Sequence, residues 1–371
     1  MLQPEAAPLY VLVSKLNKRV AINTTIQWPE DDLNPSWSTT SNTATSAALG
    51  IPLVTGEGSY FNVYDLIKVP SSGEIMLVTA VAACGVTAVR GFAGTTAAAI
   101  TSGLTVVILG SAFAEGSAYS DLTTLSRVAV NAYNYLQLFR KSVQVTNTML
   151  NSELYGGNYR AYERKVKGIE LMRDMERVFL FGGRLEDTSA SVTGGVRRTT
   201  GGASQYIVTN STAVGGILAE SDFEAFIRTV TRYGGDEIYL FASPLIISVI
   251  SQWAQGKLQM YPKDKTYGIA IAQYLSPHGT INLIKDYMLE NASTVGGITQ
   301  GGVQATTYWG GDAFALKLDE LVYRYLQNRD VVMEADIQHP GDDYVKDQYI
   351  CEVGLEIHNE QKHGFLSGVT G

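Results

Sequence analysis

A chain of 371 residues, 45% hydrophobic and 17% charged, is long enough to bury a core spread over roughly two or three structural units. Its formal net charge of -8, with no basic stripe, excludes groove-type binding of nucleic acid. Two cysteines, Cys84 and Cys351, exclude a disulfide framework and leave too few ligands for structural zinc. No apolar run reaches the roughly 18 residues of a membrane span. The opening MLQPEAAPLYVLVSKLNKRV lacks the basic-then-apolar order of a secretory signal, so the sequons at Asn23, Asn210 and Asn291 read as chance.

Residues 1–45 read as an extended N-terminal arm. Pro4, Pro8, Pro29 and Pro35 interrupt any periodicity, and Glu30-Asp31-Asp32 forms an acidic cluster. Trp28 and Trp37 are either anchors into another subunit or packing on the chain's own body. The three acids read as an exposed turn or as partners for a neighbour's cations, ahead of a divalent-metal site. Residues 46–119 are β-rich. Strand-like runs at 61–69, 74–81, 86–90 and 104–109 are separated by glycine, as in a compact hairpin or small barrel. Gly91-Phe92-Ala93-Gly94-Thr95-Thr96 is a turn, since no Gly-Lys-Ser/Thr follows it to make a phosphate loop.

Residues 120–219 open with an extended stretch at 133–143 and lead into a helix over 158–181. Its apolar stripe is read as Tyr159, Tyr162, Val166, Ile169, Met172, Met175 and Phe179. The opposite face carries Arg160, Glu163, Arg164, Lys167, Glu170, Arg173, Asp174 and Arg177, with Glu163–Lys167, Glu170–Arg173 and Asp174–Arg177 at pairing distance. Such a helix is about 36 Å long and ends at Gly182-Gly183. Gly168 at its centre costs about 1 kcal/mol relative to alanine, so it is either a bending point or room for a close neighbour. Residues 184–216 form a Gly/Thr/Ser-rich loop, functional or poorly ordered, in which Arg197-Arg198 is a solvated pair or a contact to DNA phosphates.

Residues 220–335 alternate helix (223–233, 244–254) with strand (237–242, 280–285, 313–318). Residues 336–371 hold an extended stretch at 344–360 and a glycine-punctuated tail. His278, His339, His358 and His363 are not at metal spacing, and Ser243-Pro244 lacks the G-x-S-x-G frame. No catalytic, cofactor-binding or metal-binding residue is assigned, and the chain is not expected to be an enzyme.

Four stretches carry a resemblance. Gln27-Trp28-Pro29-Glu30-Asp31-Asp32-Leu33-Asn34-Pro35 resembles the arm motif of the SU10-like major capsid proteins of tailed bacteriophages, a branch of the HK97-fold family. Residues 74–81 followed by 90–99 resemble that family's β-rich insertion. Phe179-Leu180-Phe181-Gly182-Gly183-Arg184 is similar to its spine-helix ending, and Glu356-Ile357-His358-Asn359-Glu360-Gln361-Lys362-His363-Gly364 to its closing strand. The order holds along nearly the whole chain; Pro29 departs from the leucine-like residue expected there.

The resemblance implies an α+β, HK97-like fold. Its parts would be an N-terminal arm (1–45), a β-rich E-loop insertion (46–119), a P-domain with the spine helix (120–219), an A-domain (220–335), and a return to the P-domain with a C-terminal tail (336–371). It implies a major capsid protein that self-assembles into hexamers and pentamers of an icosahedral head, made in the host cytoplasm and ending in the virion. The head would enclose double-stranded DNA without sequence specificity. Other partners would be a portal and separate scaffolding or decoration proteins, with no membrane. Inter-subunit contacts are expected at Trp28, Glu30, Asp31, Asp32, Trp37, Arg90, Phe92, Glu163, Arg164, Arg173 and Arg177, and a helix hinge at Gly168. The alternatives are an encapsulin-type shell around protein cargo and, further off, a β-rich surface or secreted protein.

Overall fold

The computed structural model describes residues 7–118, 129–152, 157–188, 195–233, 235, 237–257, 273–289 and 309–370. The chain forms two compact units, one of Met1–Trp28 with Asn131–Gly371 and one of Pro29–Val130. The larger begins with helix α1 (Pro8–Leu16), strand β1 (Lys18–Ala21) and strand β2 (Thr25–Glu30). The expected extended arm is thus corrected: it starts with a helix. Pro8 occupies the first turn, where its missing N–H leaves nothing unpaired. Leu9 and Val13, four apart, are buried. One turn and a half of stripe between prolines is too short to register as periodicity.

The smaller unit is a barrel. It contains β3 (Trp37–Thr39), β4 (Gly50–Pro52), β5 (Asp65–Lys68), β6 (Ile75–Ala82), β7 (Gly85–Val89) and β8 (Thr105–Ser111) in the order β3-β8-β5-β6-β7-β4. Every pairing is antiparallel. The ring closes just past the first and last strands, where Thr40 bridges Leu53 and Val54 N donates to Thr39 O at 3.1 Å. Closure removes sheet edges and encloses Ile51, Phe61, Ile67, Met76, Val86 and Val106. The unit starts at Pro29, so it takes in the second half of the expected arm.

The chain then re-enters the larger unit through β9 (Val130–Tyr135), which pairs with β2, and continues as β10 (Gln137–Thr146), α2 (Asn147–Asn151) and α3 (Tyr159–Phe181). β11 (Leu185–Asp187) and β12 (Arg197–Thr199) form a two-stranded ribbon, followed by α4 (Ala203–Tyr206) and β13 (Ser211–Ile217). The expected long loop is therefore mostly ordered, with 189–194 outside the described residues. Next come α5 (Glu220–Val230), β14 (Glu237–Ala242), α6 (Pro244–Lys257), β15 (Gln273–Ser276), β16 (Gly279–Lys285) and β17 (Ala313–Leu316). The chain ends with β18 (Leu321–Leu326), β19 (Val332–Glu334), β20 (Tyr344–Ile357) and β21 (Gly364–Thr370).

Two sheets organise this unit. The first runs β1-β18-β20-β10, with β19 also on β20, and α3 packs on it. The second runs β13-β21-β17-β14-β16-β15. The last strand corrects the expected tail: residues 364–370 pair with β13 and β17 inside the second sheet. The stripe on α3 is also corrected. Its buried residues are Leu171, Met175, Glu176, Phe179 and Leu180, while Tyr162 and Met172 are exposed. Tyr159 and Tyr162 mislead because tyrosine serves equally well on a wet face.

Within the barrel, the Glu74 carboxylate is buried and paired in two-pronged fashion with Arg90, with both nitrogen–oxygen distances at 2.8 Å. Arg90 also donates to the Thr45, Ala48 and Ala98 carbonyls, so together with the Glu74 pairing one guanidinium ties three loops. Burial alone would raise the Glu74 pKa; Arg90 and the Ala98 and Gly91 N–H groups hold it below its ordinary value. Arg90→Met strands that carboxylate and is expected to cost the barrel about 3 to 5 kcal/mol, measured by urea unfolding followed through hydrogen exchange in β6 and β7. A loss below about 1 kcal/mol contradicts the assignment.

Candidate assembly elements

The spine helix α3 starts at Asn158, whose side-chain oxygen accepts from Ala161 N at 3.1 Å, and stops at Gly182. Its first half is held to β20 by charge. Asp347, 1% exposed, accepts from Arg160 Nε and Arg164 Nε, each at 2.8 Å, and from Asp336 N at 3.0 Å. Arg160 first, with Arg164 and the backbone amide, holds the Asp347 carboxyl well below the usual range despite its burial. The second half is held by apolar packing of Leu171, Met175, Phe179 and Leu180 with Tyr323, Cys351, Val353 and Leu355. Both cysteines are free thiols, and Cys351 Sγ lies 3.9 Å from Met175 Sδ.

The closing stretch 356–364 ties both sheets. Glu356 is buried and bonded to Arg324 and to His358 Nε2, the latter at 2.6 Å. Glu360 accepts from Val208 N at 2.9 Å, and the Asn210 amide donates to the Gln361 and His363 carbonyls. That buried amide makes Asn210 unavailable for glycosylation. His363 is fully buried, with Lys317 N donating to Nδ1 at 3.2 Å and Nε2 facing the His358 carbonyl at 3.1 Å. Burial pushes its pKa down to about 4, so it is the neutral ring that donates to His358. Gly364 must be glycine: a Cβ there would lie 2.4 Å from Val230 and 2.7 Å from Phe226 of α5.

The expected contact residues separate into two groups. Trp28 is corrected: it is 2% exposed, packs with Ala21, Ile26 and Leu136, and stacks on His358 at 5.7 Å between centroids. It anchors its own chain, because a wide indole beside an imidazole and Tyr206 completes a local core. Arg90 is likewise corrected, being committed to Glu74 inside the barrel. Arg164 is bound to Asp347, Glu163 to the Tyr159 phenol, and Arg173 Nε reaches Met288 Sδ at 3.2 Å. Lys167 pairs with Glu170 in place of the expected Glu163–Lys167 and Glu170–Arg173 pairs.

On the surface stand Trp37, 51% exposed on β3, and Phe92, 36% exposed in the 91–96 turn. Asp31 and Asp32 are exposed and Glu30 half-buried. The two aspartates cap their own turn, accepting from Asp32 N and Leu33 N. Arg177 is exposed and paired with Asp174. Sequence reading missed Asp347, Glu176 and Asp286. Glu176 was detectable, since it precedes Phe179 and Leu180 by three and four positions and so shares their face. Among the described residues, no group of three or more acidic, histidine or cysteine side chains is placed to hold a metal ion.

Gly168 faces β20, and a Cβ added there would sit 3.6 Å from the Tyr349 hydroxyl, an ordinary contact. Gly168→Ala is therefore expected to stabilise the chain by about 1 kcal/mol through helix propensity, raising the thermal midpoint; a lowered midpoint contradicts this packing.

The model of the SU10 major capsid protein family matches residues 1–370. The fold is similar to a chain of the capsid of a native GTA particle, with a TM-score of 0.52, 9% identity, and coverage of 100% of this chain and 92% of that one. It is similar, at a TM-score of 0.42, to a chain of Mycobacterium phage Cain (10% identity, 96% and 89% covered). The SrpI encapsulin complex of Synechococcus elongatus PCC 7942 also gives 0.42, at 9% identity with 65% and 78% covered. No curated protein sequence matches significantly. With its α+β, HK97-like fold and a match along almost its whole length, the chain belongs to the SU10 major capsid protein family.

Proposed function

We propose that copies of this major capsid protein form the hexamers and pentamers of an icosahedral phage head, assembled in the host cytoplasm around double-stranded DNA. The observation that carries the reading is the family match over residues 1–370. In this reading the barrel is the E-loop insertion, the β10/β18/β20 sheet with α3 is the P-domain, and the sheet around β14 is the A-domain. Trp37, Phe92, Asp31, Asp32 and Arg177 supply contacts to neighbouring subunits, supported by their exposure. The net charge of -8 favours a wall that encloses DNA without gripping its sequence. A portal and separate scaffolding or decoration proteins complete the partners, and no catalysis is assigned to the chain. Gly168 as a bending point of the spine predicts that Gly168→Ala particles expand more slowly than wild type; expansion at the wild-type rate rejects the hinge.

The test is negative-stain microscopy with sedimentation of the purified full chain. Closed uniform shells, or hexameric and pentameric rings, are expected. Trp37→Ser is expected to reduce assembly about tenfold or more while leaving the circular dichroism of the subunit unchanged, as loss of an interface aromatic does. A stable small monomer at high concentration contradicts the reading.

A further inference from the structure

Two buried carboxyl groups in the larger unit have no role in the account so far. Glu176, on α3, and Asp286, in the turn after β16, are both 0% exposed. Glu176 Oε1 accepts from Leu9 N at 2.8 Å and Oε2 from Tyr10 N at 2.6 Å. These are first-turn amides of α1, which have no partner within their own helix, and Ala7 before them offers no side-chain cap. A carboxylate 166 residues away thus caps α1. Asp286 Oδ1 accepts from Met288 N at 2.8 Å, whereas Oδ2 is buried without a hydrogen-bond donor. The two carboxyls lie within hydrogen-bonding reach of each other.

Two adjacent buried carboxyls do not both ionise. Both Glu176 oxygens already take N–H groups at the positive end of a helix, which favours its charge. The orphan oxygen, Asp286 Oδ2, is where a proton completes the bonding. We propose that Glu176 and Asp286 share one proton and so form a latch that fastens α1 to the spine helix and to the turn after β16, holding while the proton is present and opening when it is lost. Burial first, then the neighbouring Asp286 carboxyl, raises the proton affinity of Glu176, and burial raises that of Asp286.

Arg173 and Asp174 on α3 and Lys285 on β16 have contacts of their own. Arg173 Nε reaches Met288 Sδ, Lys285 lies over the Tyr287 ring, and Asp174 pairs with Lys141 and Arg177. Tyr10 stacks edge-on against Tyr323. In the undocked state both acids titrate in the ordinary carboxyl range. The docked state therefore holds the extra proton above that range. Docking weakens as pH rises and levels off once the pH exceeds the raised affinity of the pair.

Hydrogen exchange on the purified full chain tests the latch. Protection of the α1 amides, normalised for intrinsic rate and referenced to β20, should fall about tenfold per pH unit between about pH 5.5 and about pH 7.5. Asp286→Asn presents an amide donor to Glu176 at every pH, so its α1 protection should stay flat. Glu176→Gln, which leaves one acid, should be flat as well and serves if the first variant does not fold. A flat wild-type profile, or the wild-type slope persisting in either variant, overturns the proposal.

Discussion

The larger unit depends on Asp347. A carboxylate buried in the middle of a sheet is costly unless its charge is answered, and the answer comes from two arginines one turn apart on α3. Arg160 and Arg164 lie four residues apart, so they project from the same face and reach the same acid. That fixes both the rotation and the axial position of the first half of the spine. Sliding the helix by one residue would leave Asp347 unpaired and lift Gly168 off the Tyr349 ring.

The second half of the spine obeys different physics. Leu171, Met175, Phe179 and Leu180 sit among Tyr323, Cys351, Val353 and Leu355, where packing is dense and largely indifferent to salt. One helix is thus held by charge at one end and by apolar packing at the other, with a glycine between them. The closing stretch adds a cross-tie: Glu356 binds Arg324 in the first sheet, while Asn210 and Gly364 fasten the second. The barrel answers for its own stability through closure and the Glu74–Arg90 pair, which suits an insertion within a capsid subunit.

The sequence was most legible where an element is long and locally patterned. The spine over 158–181, barrel strands β5 to β8, and most of the alternation of helix and strand from 223 to 318 were readable from periodicity and glycine punctuation, whereas the short β3, β4 and β15 were not. What escaped it depends on distant partners. Residues 364–370 look like a tail because Gly364 and Gly368 depress strand propensity, yet β13 and β17 supply their ladder. Trp28 looked available to a neighbour because its partners, Leu136 and His358, lie more than a hundred residues on. Arg90 and Arg164 read as surface charges for the same reason: a charge reads as surface until the buried acid that claims it is known. Family membership came from motif order, whereas Asp347 and the Glu176–Asp286 pair required coordinates.

The two-part attachment of the spine is tested most directly by hydrogen exchange along α3 in Asp347→Asn. Removing the charge should release the amides of the first half, around Arg160 to Lys167, by about ten- to a hundredfold, the equivalent of about 1.4 to 2.8 kcal/mol, while Leu171 to Leu180 keep their wild-type protection. Equal loss along the whole helix, or no loss in the first half, would contradict it.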